Sequence, residues 1–114
     1  MKPGDVVLVR FPFTDVATTK KRPALVLARA TRSPRNRVVT LAMITSQVEA
    51  LKLDGDLLLS DWGAAGLLHP SLLRLAKLAT VDEDLVEKAI GRLSAVDYKA
   101  TRATFRRVFA AWIE

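Results

Sequence analysis

The sequence predicts a mainly β fold with some helix (α+β), in which a small antiparallel β-barrel carries a C-terminal amphipathic helix. Three observations carry this. Apolar, β-branched runs recur early in the chain, the segments between them lack helical character, and the chain ends in a stretch of clear helical periodicity.

The elements follow in order. Asp5 to Phe11 is a strand ended by Pro12. Lys20-Lys21-Arg22-Pro23 reads as a turn, and a second strand starts just after it, at Ala24 to Ala30. Val38 to Ile44 is the third strand, reached through Ser33-Pro34-Arg35-Asn36. All three runs are apolar on both faces, so parts of each should be buried twice over. Parallel neighbours need long, usually helical crossovers, and neither connection looks like one. Antiparallel hairpins curled into a barrel are therefore expected.

Asp54-Gly55 is a turn signal, followed by a short strand at Asp56 to Leu59. Ser60-Asp61-Trp62-Gly63 suggests a helical turn capped by Ser60. Ser71 to Val81 reads as one or two strands, and Asp82-Glu83-Asp84 as a turn or short helix. Val86 to Leu93 fits helix and strand equally well by periodicity. Ser94-Ala95-Val96-Asp97 resembles a capping box with aspartate in the usual glutamate position. Tyr98, Thr101, Phe105, Val108, Phe109 and Trp112 then share one helical face, with Lys99, Arg102 and Arg106 on another.

The chain has 114 residues, the length of one domain spanning 1–114. Half the residues are hydrophobic and the net charge is +6. From Lys20 to Arg37 there are seven basic residues and no acidic one. One region should therefore present a positive field, and a polyanion is the natural partner. No apolar run approaches the roughly 18 residues of a spanning helix. The N-terminus shows no signal-peptide pattern, so a cytoplasmic protein without a membrane partner is expected.

With no cysteine, disulfides, thiolate metal sites and cysteine nucleophiles are excluded. The single histidine, His69, cannot build a multi-histidine metal site. No Gly-x-Ser-x-Gly elbow or phosphate-binding glycine loop is present. Asp54 and Asp56 would need a third ligand to hold a metal, so neither metal nor cofactor is expected. RNA offers a reaction that needs neither, because its 2′-hydroxyl can attack the adjacent phosphate. The protein must then orient the strand, move protons and stabilise the added negative charge. A guanidinium fork matches phosphate oxygens, and a hydroxyl can position a phosphate.

Gly4 to Val9, Lys21 to Leu27, and Ala42-Met43-Ile44-Thr45-Ser46 together resemble the MazF/PemK (Kid) toxins of bacterial toxin–antitoxin pairs. Asp61 to Leu67 and Pro70 to Arg74 resemble a PemK-like branch. The resemblance runs in order through nearly the whole chain. It implies an SH3-like barrel acting as a homodimer. It also implies sequence-specific cleavage of single-stranded RNA (mRNA), leaving a 2′,3′-cyclic phosphate and a 5′-hydroxyl, and inhibition by a cognate antitoxin.

By this resemblance, Arg22 acts at the scissile phosphate and Thr45 assists with its hydroxyl, with Ser46 as the neighbouring alternative. Arg74 matches an arginine proposed as catalytic in the Kid branch. The position two residues later is Ala76, where that branch has aspartate. Thr19, Lys20, Lys21 and His69 are the expected RNA contacts. The 17–21 loop lacks the glutamate many relatives carry, and Asp15 is the nearest carboxylate. Two other classes share these features: a CcdB-like toxin of the same barrel that binds DNA gyrase, and a relative that binds RNA and antitoxin without turnover.

Overall fold

The computed structural model describes residues 1–11, 20–50 and 52–113. They form one antiparallel sheet of six strands: β1 (Asp5–Phe11), β2 (Lys20–Ser33), β3 (Asn36–Thr45), β4 (Asp56–Leu58), β5 (Leu72–Asp82) and β6 (Val86–Arg92). Their order across the sheet is β4-β5-β3-β2-β1-β6. Among the described residues no ladder joins β4 to β6, so the curled sheet is not closed by hydrogen bonds. A 3₁₀ turn at Glu83–Leu85 links β5 to β6, and the helix α1 (Ala95–Val108) is followed by a short α2 (Ala110–Ile113). None of these helices is long and apolar enough to cross a membrane.

The strands bury both faces, as their composition requires. Val6, Leu25, Ala42, Ile44, Leu73 and Leu75 belong to one core cluster, against which Tyr98 and Phe105 of α1 pack. Val7, Val9, Ala24, Val26, Val39 and Leu41 form a second cluster on the other face. Two positions apart along a strand means the same face, and one position apart means the opposite face. Val6 and Val7 therefore serve different cores.

Several local expectations need correction. Lys20 to Pro23 is not a turn but the start of β2, where Lys20, Lys21, Arg22 and Pro23 pair with Phe11, Arg10, Val9 and Leu8. Pro23 is tolerated because pairing with β3 begins only at Ala24–Met43. Pro23 thus lies at the end of that ladder, where proline is tolerated. The ambiguous 86–93 segment is a strand, with β1 as its neighbour.

Ser60 does not cap a helix. The backbone N–H groups of Ser60 and Asp61 instead donate to the buried Asp97 carboxylate, at 2.9 and 2.7 Å. Consecutive turns follow through Gly66. Ser94 caps α1 as expected, its hydroxyl accepting the Asp97 N–H at 3.1 Å. Asp97 fills only half of the capping box, because its side chain serves the 60–61 turn. Trp112 lies 90% exposed, off the packing face. The helical phase breaks at Phe109, whose backbone leaves the α region.

The turn segment is fixed to β6 by direct backbone packing. Gly66 has φ +80°, and a Cβ there would overlap the Ile90 carbonyl. A Cβ on Gly91 would in turn overlap the backbone of Ala65 and Gly66. Two chains approach here at a distance only glycine allows. Gly91→Ala is expected to cost about 3 kcal/mol, the upper end of the usual range for forced backbone shifts in a packed site. Urea unfolding checks this; an unchanged midpoint would refute the close-approach argument.

Candidate active site

The β2–β3 register builds the site. Its last paired residues are Ala24 and Met43. Continued two residues further, the same register sets Arg22 across from Thr45, beyond the end of the ladder. β3 instead pairs Thr45 with Leu72 of β5. A groove of about 470 Å³ lies at this end of the sheet.

Lys21, Arg22, Thr45, Ser46 and His69 all line it. These five come from β2, from the end of β3 and its following turn, and from the segment after Gly66. Lys20 is exposed on β2 but does not reach the lining, and Thr19 and Asp15 lie outside the described residues. Arg74 is not in the groove. It sits on β5 opposite both Met43 and Asp56, and its Nε and Nη2 donate to the Asp56 carboxylate at 3.1 and 3.3 Å. The Asp56 side chain is 2% exposed, so this is a buried ion pair.

Each groove residue is held differently. Arg22 is exposed and forms no ion pair with any described carboxylate, so its guanidinium is available to an incoming anion. Thr45 Oγ1 accepts the Gln47 N–H at 3.1 Å, which orients the hydroxyl and leaves its proton to donate. Ser46 is exposed. The wall opposite is fixed by the glycine contact and by Ser71, whose buried hydroxyl donates to the His69 carbonyl at 2.8 Å. Leu68 stands 84% exposed at the lip.

Two charged residues escaped the sequence reading. Lys88 lines the groove from β6, because it pairs with Leu8, which pairs with Pro23. Glu87 accepts from Lys21 Nζ at 2.8 Å. The Lys21 hydrogen bond holds the Glu87 carboxyl below its usual range against the opposing effect of burial, with Lys21, Arg10 and Lys88 adding favourable charge. Reading 86–92 as a strand would have placed Lys88 and Ile90 on one face and exposed this signal.

No group of three or more potential ligands suited to a metal ion occurs among the described residues. Asp54 and Asp56 are each engaged by an arginine, Arg107 at 2.7 Å and Arg74 at 3.1 Å. The arrangement offers a guanidinium, a positioned hydroxyl, lysines and an imidazole around one groove. That is the equipment for binding a phosphodiester and stabilising charge on it.

Comparison with known proteins gives a consistent picture. The sequence model of the PemK-like, MazF-like toxins of type II toxin–antitoxin systems matches residues 2–109. Among solved structures, the Mycobacterium tuberculosis toxin MazF-mt6 superposes with a TM-score of 0.69 at 24% identity, covering 93% of this chain and 96% of that one. A mycobacterial endoribonuclease solved in complex with its cognate antitoxin superposes with a TM-score of 0.70 at 12% identity, covering 96% and 95%. At these identities the structural likeness speaks for the fold. No curated protein sequence matches the chain.

Proposed function

Because the chain belongs to the PemK-like, MazF-like toxins of type II toxin–antitoxin systems, we propose that it is a metal-independent endoribonuclease acting on single-stranded RNA. The observation that carries this reading is the convergence of Arg22, Thr45, Ser46, Lys21 and His69 on one groove from three separate segments.

In this mechanism the substrate's 2′-oxygen attacks the adjacent phosphorus in line. The bond to the 5′-oxygen of the next nucleotide breaks, leaving a 2′,3′-cyclic phosphate and a 5′-hydroxyl. One proton leaves the 2′-hydroxyl and one is delivered to the departing oxygen. Arg22 offers its donor fork to the non-bridging oxygens, whose negative charge grows in the transition state. Thr45 donates its hydroxyl proton to the same phosphate, held in direction by the Gln47 N–H. Lys21 and His69 hold the flanking strand. Arg74 has its place in the buried pair with Asp56. The partners in this reading are the RNA, a cognate antitoxin that covers the groove, and a second copy of the chain.

The test is incubation of purified protein with a mixed RNA in EDTA. Discrete cuts ending in cyclic phosphate are expected. An absence of cuts, with or without added divalent metal, would overturn the reading, and inhibition of DNA gyrase by the same sample would select the non-enzymatic alternative.

A further inference from the structure

The mechanism above leaves two charged groups beside the groove without a task. Lys88 lines it from β6, and Glu87, its neighbour in sequence, is bonded to Lys21. The strands β2, β1 and β6 are consecutive in the sheet, and their registers set Pro23, Leu8 and Lys88 in one row. Adjacent strands stand about 4.8 Å apart, so the base of the Lys88 side chain lies roughly 10 Å from β2. Lys88 therefore stands across β1 from Pro23, on the strand face that Lys21 shares two residues earlier, and both lysines line the groove together with Arg22.

We propose that Lys21 and Lys88 form a phosphate subsite beside Arg22, with Glu87 as its resident counter-ion, displaced when a backbone phosphate of the RNA binds. The subsite rests on the ribonuclease reading and extends it to a phosphate flanking the scissile one. Three features support it. The Lys21–Glu87 pair is solvent-exposed, with side chains 52% and 35% accessible, so it is weak and exchangeable. Arg10, Lys21 and Lys88 all act on this one carboxylate, giving a local excess of positive charge. No described carboxylate forms an ion pair with Lys88.

A phosphate satisfies this excess better than Glu87 alone, because lysine binds phosphate as a point charge and binding releases the RNA's own counterions. The Lys21 hydrogen bond favours the ionised form of Glu87. Its part is to neutralise Lys21 while the groove is empty.

The experiment measures binding of a 2′-O-methylated RNA, which keeps the phosphates but lacks the nucleophile, across about 50–200 mM salt. Lys88→Ala is expected to weaken binding about three- to tenfold at low salt and to flatten the salt dependence by about 0.7 in log–log slope, one single-strand phosphate contact. Glu87→Gln is expected to bind about two- to fivefold tighter, the size of an exposed charge interaction. Thermal melts verify that both variants fold.

Unchanged affinity and slope in Lys88→Ala would overturn the subsite. So would a Glu87→Gln variant that binds no tighter, or one that binds equally but no longer cleaves unmodified RNA, which would move Glu87 into the chemistry. If wild-type protein cuts unmodified RNA while Lys88→Ala binds normally, only the subsite falls. If wild type neither cuts nor binds, the ribonuclease reading falls with it.

Discussion

Arg22→Ala is expected to slow RNA cleavage about a hundredfold while leaving the fold intact. The first half rests on where charge develops: removing one donor aimed at an oxyanion typically costs two orders of magnitude or more. At about 1.4 kcal/mol per factor of ten, that is about 2.7 kcal/mol of transition-state stabilisation. The second half rests on exposure. Arg22 pairs with Val9 through its backbone, which alanine preserves, and its side chain is exposed without a described carboxylate partner. Arg22→Lys should recover part of the loss, since it keeps the charge but not the planar two-donor fork. Single-turnover cleavage beside a thermal melt checks both halves. Wild-type rates in Arg22→Ala would move the centre of the mechanism elsewhere in the groove, and a large fall in melting temperature would show that the arginine acts on folding instead.

The sequence was most informative where one local rule decided the outcome. β1, β2, β3 and α1 were legible from apolar runs, turn residues and the Ser94 cap. The start of β2 was not, because proline beside three basic residues has the look of a turn. Only the β1 partners Phe11, Arg10 and Val9 make it a strand. The 60–66 turn was legible, but its cap was not, for a similar reason. Its cap comes from Asp97, 36–37 residues away in sequence, and no local pattern reports that. In the site, Arg22, Thr45 and Ser46 could be picked out from family resemblance. Lys88 required the pairing of β6 with β1, which periodicity alone could not decide.

Arg74 is where pattern and structure point to different roles, and its carboxylate partner provides the way to separate them. Asp56→Ala is expected to destabilise the protein by about 3–5 kcal/mol, the usual cost of removing one member of a buried ion pair. The carboxylate accepts two guanidinium bonds from Arg74 and also the Leu53 N–H at 2.9 Å, which closes the turn around Gly55. Losing it therefore removes the two guanidinium bonds of a buried cation and opens a turn at once. Against typical domain stabilities of about 5–15 kcal/mol, that is a large share of the total. Urea unfolding measures this, and a loss below about 1 kcal/mol would show that the pair contributes little. The informative companion is Asp56→Leu combined with Arg74→Leu. Replacing both members of a buried pair by apolar residues is often neutral or stabilising, so most of the lost stability should return. Cleavage by that double variant then assigns the arginine. If RNA is cut at near wild-type rates, Arg74 acts on the fold, as its absence from the groove indicates. If stability returns but cleavage does not, the guanidinium reaches the substrate, and the groove must extend past Thr45 toward β5 when RNA is bound.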